Sequence, residues 1–400
     1  MVTEKVQLPE AVLYSPNFAQ HFLANNTSLG FTALSGFDNI SSDDGRSVEQ
    51  VKADVYTDLR EFASLDQKVK DQFIDPSKSG QRGYTPNQVE RSGARPEYRE
   101  HLMVIQDLPK GHPVEQYRPL FYSPNIPITA VSSLDENVQQ LFSALEPLRR
   151  RMFEDVAIEL GMWWGEFAAQ LEESENFLRL HIYPQAQIAP GSARTLDNVT
   201  AIGGTSVNGV EVVDILHATG GEVTRLEGAL RASPHPDVGF YTLLLGAEEP
   251  GLYIQLKNGK AMPFTTHRGK IVGNAADDAE VLIPKAKSVI HWVGLTEDTA
   301  KRPRYSIANF IHTRPMVKIG DEYAGVRLFR RLKEIGYDIP DFLTKAAAEL
   351  KPEDQKLIGE ILVFSKNERE AGRKPSGLER YYHLINPKTG SYGRIPHRAA

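Results

Sequence analysis

In the run Ser233-Pro-His235-Pro-Asp237, an imidazole and a carboxylate stand two residues apart at the start of the apolar stretch Val238–Leu245. Side chains of a strand alternate faces, so residues two apart project to the same side and both can reach one ion. A lone His-x-Asp triplet occurs in many proteins that bind no metal. A further nitrogen donor follows in Lys287-Ser-Val-Ile-His291-Trp-Val293, inside another strand-like run. Two imidazoles and one carboxylate on one face of an octahedral ion leave three positions open, which suits non-haem iron(II) and oxygen activation. Zinc usually closes such a site at four ligands. His235, Asp237 and His291 are therefore the expected catalytic metal ligands. His267, in Thr265-Thr-His267-Arg268, is the rival for the third place. The segment Gly273–Leu282 that follows it reads as the turn and strand preceding the last ligand strand, which favours His291.

Beyond His291, Arg304 and Ser306 share one strand face in Arg302-Pro-Arg304-Tyr-Ser306. A guanidinium presents a planar fork to a carboxylate, and a hydroxyl beside it adds a further bond. Together they form a dicarboxylate anchor. Most isolated Arg-x-Ser triplets are structural; here the order His-x-Asp, His, Arg-x-Ser supplies the specificity.

The rest of the chain must position these groups. Its 400 residues allow one large or two ordinary domains, with roughly 70–75% of the unfolded surface buried on folding. A formal charge of −6 offers no general attraction to nucleic acid or anionic lipid. The absence of cysteine removes disulfides, thiolate zinc sites, iron–sulfur clusters and a cysteine nucleophile, so any metal must use nitrogen and oxygen donors. The N-terminus has no basic stretch followed by an apolar one, and no apolar run reaches the ~18 residues of a membrane span. The protein is expected to be cytoplasmic, with no nucleic-acid or membrane partner.

Residues 1–177 read as a mixed α/β region. Its amphipathic helices are expected over Val48–Ser64, with Val51, Val55, Leu59 and Phe62 on one face, and over about Asp135–Leu171. Arg149-Arg-Arg151 reads as a solvated face of the second helix, and Trp163 and Trp164 as packing. Residues 178–316 change to short apolar runs punctuated by Gly, Pro, Asn and Asp: Leu178–Tyr183, Val238–Leu245, Leu252–Leu256, Lys270–Val272, Ser288–Val293 and Tyr305–His312. This pattern predicts a mainly β sandwich or barrel. Within it, residues 185–234 are rich in Gly, Ser and Thr, with short strands at Val199–Ile202 and Val210–Leu216, and read as an insertion serving as a lid. Residues 317–400 read as a helical extension, with helices at Tyr323–Ile335, Pro340–Leu350 and Glu353–Arg373. The apolar stripe of the last of these leaves monomer and homodimer both open.

The order and flanking residues of these motifs resemble the isopenicillin N synthase-like branch of the 2-oxoglutarate and iron(II) dependent dioxygenases, from about Gly30 to Pro315. Leu29-Gly-Phe31, Glu61-Phe62 with Lys68 and Lys70, and Gly83-Tyr-Thr-Pro with Glu100 and Asp107-Leu-Pro109 are similar to successive segments of that branch. Leu178-Arg-Leu-His-Ile-Tyr-Pro184 resembles its strand ending Asn-Tyr-Tyr-Pro. The resemblance implies a double-stranded β-helix (jelly-roll) core with helical flanks, iron(II) on His235, Asp237 and His291, and 2-oxoglutarate on Arg304, Ser306 and Tyr183. It implies dioxygen as oxidant and oxidation of an unactivated C–H bond of a small, biosynthetic molecule by hydroxylation, desaturation or cyclisation. The carboxylate of Asp237 argues against halogenation, because halogenating relatives lose it. Three departures stand out: His181 and Ile182 replace Asn-Tyr, Trp292 replaces the usual arginine, and the interval from His291 to Arg304 is longer. Two alternatives follow from the same residues: an iron oxidase that dispenses with 2-oxoglutarate, like isopenicillin N synthase and the aminocyclopropane-carboxylate oxidases, and a catalytically silent jelly-roll binding module.

Overall fold

A computed structural model describes residues 8–75, 82–87, 91–92, 95–108, 124–161, 174, 176–201, 204–219, 222–246, 249–264, 270–283, 285–313, 318–319, 322–323, 382–385 and 392–394. Its main strands, in chain order, are β1 (Glu10–Val12), β2 (Phe31–Ser35), β3 (Gly83–Thr85), β4 (Glu100–Ile105), β5 (Phe177–Tyr183), β6 (Val210–Thr219) and β7 (Glu222–Ala229). They continue with β8 (Ala232–His235), β9 (Tyr241–Leu244), β10 (Leu252–Gln255), β11 (Ala261–Phe264), β12 (Ile271–Ala275), β13 (His291–Val293) and β14 (Arg304–Ile311). The longer helices are α1 (Phe18–Ser28), α2 (Val48–Ser64) and α3 (Leu134–Glu159).

Two sheets carry the core. The larger has eight strands in the order β1-β2-β12-β9-β14-β5-β4-β3, and the smaller has four in the order β8-β13-β10-β11. Neighbours far apart in sequence lie side by side, as a jelly roll requires. Alternation along the strands gives the large sheet two apolar faces. On one, Leu178, Leu180, Ile182, Leu243, Ile307 and Ile311 pack with α1, α2 and α3. On the other, Phe31, Ala33, Val272 and Tyr183 meet Leu252, Ile254, Phe264 and Val293 of the small sheet. The helices thus back the large sheet, and the site opens between the sheets.

Local sequence explains the helices. Ser47 caps α2 through a reciprocal capping box with Gln50, which satisfies two backbone donors left over at the helix start. The expected span Val48–Ser64 is the observed one. The second helix ends at Glu159, and residues 162–173, including Trp163 and Trp164, lie outside the described residues. Arg149 corrects the reading of a solvated face: it is buried at 4% exposure and ion-paired with Glu146 one turn away, because the apolar stripe of α3 is wide enough to enclose it. Lys70, Tyr84 and Glu100, from the motifs of the N-terminal half, converge in a buried cluster, with Lys70 Nζ and Tyr84 Oη donating to Glu100 Oε2 at 2.9 and 2.8 Å.

The insertion is more ordered than its composition predicts. β6 and β7 form a long antiparallel hairpin with a bulge between Val213 and Ile215, flanked by the short strands Gln187–Ile188 and Arg194–Leu196. Buried Asp214 ties it together, accepting from Arg194 Nη1, Arg225 and the Gly228 amide. The strand expected within Gly273–Leu282 is instead the end of β12 followed by a helical turn, Ala279–Leu282. The C-terminal helices lie almost wholly outside the described residues, although Tyr323, read as a helix start, is in a two-residue strand with Glu322.

Leu180 is fully buried on the helix-facing side of β5, so Leu180→Ala is expected to cost about 2–5 kcal/mol. Val223, two-thirds exposed at 67%, should tolerate alanine within about 0.5 kcal/mol. Denaturant midpoints of the two variants check this; equal shifts would contradict the assignment of the β5 face.

Candidate active site

His235 ends β8 and His291 begins β13, and the two residues pair directly across that antiparallel ladder. Their rings lie 4.5 Å apart, centroid to centroid. Asp237 enters from the turn after β8, with Oδ1 3.8 Å from His235 Nε2 and 3.5 Å from His291 Nε2. One ligand atom from each residue lies within 4.8 Å of the other two, so the three can converge on a single ion. The Nδ1 atoms face backbone carbonyls: His235 Nδ1 is 2.6 Å from Ser233 O and His291 Nδ1 is 3.0 Å from Val289 O. A carbonyl only accepts, so each Nδ1 carries the proton and each Nε2 presents its lone pair to the centre. Asn274 Nδ2 donates to Asp237 Oδ2 at 2.7 Å, leaving Oδ1 turned toward the imidazoles.

The charge states match a metal site. Burial holds His235 down to about 3, and neighbouring His291 adds to this. Burial pushes Asp237 up, but the two imidazoles and the Asn274 amide bring it below the usual carboxylate range. The set is therefore two imidazoles, with His235 neutral, and an ionised carboxylate. That chemistry fits a divalent iron with open positions.

Gly30 shows how tightly the surroundings are built. At φ +75°, a Cβ there would lie 2.2 Å from Val289 Cγ2 and 2.7 Å from Lys287 O. Only glycine lets this turn press on the segment whose Val289 carbonyl orients His291. The next residue, Phe31, sets its ring edge-to-face with His291 at 5.8 Å.

Arg304, Ser306 and Tyr183 also come together. β14 pairs with β5 so that Arg304 lies opposite Tyr183 and Ser306 opposite His181. The Arg304 guanidinium sits 4.9 Å above the Tyr183 ring, and its Nη1 donates to Ser306 Oγ at 3.2 Å. Arg304 and Ser306 are each only 2% exposed. All of these residues line the same cavity as the histidines. His267, the rival third donor, lies outside the described residues.

Other residues of the site were not singled out in the sequence. Asn274 was read as part of a turn, and only the three-dimensional pairing of β12 with β9 brings it to Asp237. Arg99 and Arg179 also line the cavity. Arg179 was legible in principle, because it alternates with His181 and Tyr183 along β5. Trp292 faces away from the ligands, fully buried and stacked on Tyr253 at 5.6 Å. This is its strand parity: the neighbour of an inward ligand points outward.

Residues 217–313 match the family model described as the 2OG-Fe(II) oxygenase superfamily. No curated protein matches the chain. Among solved structures, a protein from Caulobacter crescentus described as of the 2OG-Fe(II) oxygenase family is 23% identical, with a TM-score of 0.57 over 78% of this chain and 88% of that one. A Neurospora crassa protein, solved at full length with alpha-KG and thymine, is 18% identical, with a TM-score of 0.56 over 78% and 88% of the respective chains. The Arabidopsis thaliana dioxygenase for auxin oxidation, solved as its 2-oxoglutarate complex, is 17% identical, with a TM-score of 0.50 over 77% and 93%. These likenesses establish the fold. No described helix is long and apolar enough to cross a membrane.

The buried histidines predict a pH dependence. Burial holds His312 at about 4, His235 at about 3 and His181 well below its ordinary value of 6.5. Between 6.5 and about 4 the unfolded chain therefore binds more protons than the folded one, and stability is lost as pH falls, by about 1.4 kcal/mol per pH unit for each such group. The denaturant midpoint of the metal-free protein should drop between pH 7 and pH 5; a flat or rising profile there would contradict the burial of neutral imidazoles.

Proposed function

We propose that this chain, which belongs to the 2OG-Fe(II) oxygenase superfamily through residues 217–313, oxidises a C–H bond of a small molecule using iron(II), 2-oxoglutarate and dioxygen. The observation that carries the reading is one cavity lined by two facing arrays: the His235, Asp237 and His291 cluster, and the Arg304, Ser306 and Tyr183 group. An iron-binding facial set without an anchor would leave the co-substrate open. The anchor and the family match together favour the 2-oxoglutarate-dependent reaction over an oxidase that dispenses with it and over a silent binding module. The isopenicillin N synthase-like assignment rests on the motif order given above.

When bound, iron(II) with 2-oxoglutarate supplies the activation of dioxygen, coupled to loss of carbon dioxide and formation of succinate. This chain's residues supply position and exclusion of water. His235, Asp237 and His291 would hold the metal, with the Ser233 and Val289 carbonyls fixing both rings. Arg304 would receive the distal carboxylate, assisted by Ser306. The Tyr183 ring and the Glu249 carbonyl hold the Arg304 guanidinium in place, the latter accepting from Nε at 3.2 Å. Phe31, Leu244, Leu252 and Val293 add an apolar stretch of wall, which helps keep competing water from the reacting centre. A small-molecule substrate accords with the thymine complex of the Neurospora protein.

Charge-assisted hydrogen bonds contribute about 1.5–3 kcal/mol, so Arg304→Met should weaken 2-oxoglutarate binding by about tenfold to a hundredfold while one equivalent of iron(II) still binds. Equilibrium dialysis of both ligands checks this. Unchanged co-substrate affinity would move the 2-oxoglutarate-independent oxidase to first place, and loss of iron as well would show that Arg304 acts on the fold.

A further inference from the structure

The cavity holds more arginines than one co-substrate requires: Arg99, Arg179 and Arg304 all line it. Arg179, His181 and Tyr183 alternate along β5 and all line the cavity, facing Ala308, Ser306 and Arg304 of β14. The guanidiniums at the two ends lean apart. That of Arg304 rests over Tyr183, whereas that of Arg179 rests 5.5 Å from the centroid of Phe310, the next inward residue in the opposite direction. Phe310 pairs with Thr242, and Thr242 with Asn274, the residue bonded to Asp237. The Arg179 group therefore lies toward the metal cluster and away from the dicarboxylate anchor.

A second guanidinium beyond the anchor also lines the cavity. Arg99 is buried at 8% exposure and held by Glu97 at 2.6 Å. Glu97 in turn accepts from the Ser233 amide, in the strand that carries His235. Among the described residues lining the cavity, three are arginines and one, Asp237, is a carboxylate. His181 lines the same cavity and feels both charges; it is 5% exposed, and its buried Nδ1 meets no hydrogen-bond partner among the described residues. Burial first, and then the charges of Arg99 and Arg179, keep this imidazole neutral, so it retains one N–H to donate and adds no charge. An unsatisfied buried nitrogen costs stability and marks a place where a ligand completes the bonding.

Resting on the reading of the cavity as an iron(II) and 2-oxoglutarate site, we propose that Arg99, Arg179 and His181 receive a carboxylate of the primary substrate, which is a small organic acid with an apolar body. A carboxylate matches the planar fork of a guanidinium, and the single formal charge suits a wall that also includes Phe31, Leu244, Leu252 and Phe310. Phosphate, with close to two charges and three acceptor oxygens, would leave that apolar wall unused. The carboxylate end would fix the molecule so that a carbon of its apolar body stands at the metal, a positioning contribution to rate.

The test is calorimetric titration of the protein loaded with redox-inert manganese(II) and 2-oxoglutarate, using phenylacetate and hexanoate against their primary amides. The acids are expected to bind at least tenfold more tightly than the amides. Arg179→Met should abolish that preference with 2-oxoglutarate affinity and melting temperature retained, and Arg179→Lys should restore part of it. Equal binding of acids and amides, no binding of either acid at millimolar concentration, or a preference that survives Arg179→Met would each overturn the proposal. Failure of the loaded protein to bind 2-oxoglutarate at all would instead overturn the reading on which it rests, and the proposal with it.

Discussion

The pairing of β8 with β13 places His235 opposite His291, and nearly every other feature of the site follows from that register. Side chains directly opposed on one face of a ladder are close neighbours, which is why the two rings approach to 4.5 Å. A slip of one residue in either strand would turn its imidazole to the far side of the small sheet, away from the other. The register is held by what surrounds it. The Arg231 amide donates to the Val293 carbonyl at 3.0 Å, Glu97 receives the Ser233 amide, and Gly30 admits the Val289 segment. Asp237 then reaches the pair from a turn that Asn274 fixes.

The division of labour between the two faces of the large sheet accounts for how a cavity containing arginines, histidines and a carboxylate coexists with a stable fold. The helix-facing side is continuous apolar packing from α1, α2 and α3, and hydrophobic burial is the dominant favourable contribution to folding. The inner side carries the groups that are costly to bury, and they are arranged to offset that cost. Arg99 has Glu97, Arg304 has Tyr183, Ser306 and a carbonyl, and buried Arg231 donates to the carbonyls of Arg302 and Pro184 at 2.8 and 3.3 Å. Burial keeps the His181 and His235 imidazoles neutral. Such groups are the least stabilising part of a core, and their concentration between the sheets is what function requires of the fold.

Much of this was legible in the sequence because the chemistry uses the period of a strand. Arg304 and Ser306, two apart on β14, project into the cavity as that period predicts; His235 and Asp237 were read the same way, but β8 ends at His235 and the turn after it carries Asp237. The apolar spacing of its core face made α2 readable, and the capping box that fixes its start appears only in the structure. What could not be read is what depends on long-range pairing. Asn274 lies 37 positions from Asp237 and looks like a turn residue. The insertion's hairpin is stabilised by Asp214 joining residues on three strands, and its Gly and Thr content resembles that of a loop. Arg149 was misjudged because a charge run says nothing of which member faces inward.

The most direct test of the central claim is anaerobic titration of the iron(II)-loaded protein with 2-oxoglutarate, followed through the weak visible charge-transfer absorption that a chelating keto acid gives with iron(II). The wild-type protein is expected to develop the band with one equivalent of co-substrate, and Asp237→Ala, folded but unable to retain iron, to develop none. A wild-type protein that binds iron without the band, or an Asp237→Ala variant that still gives it, would contradict the account.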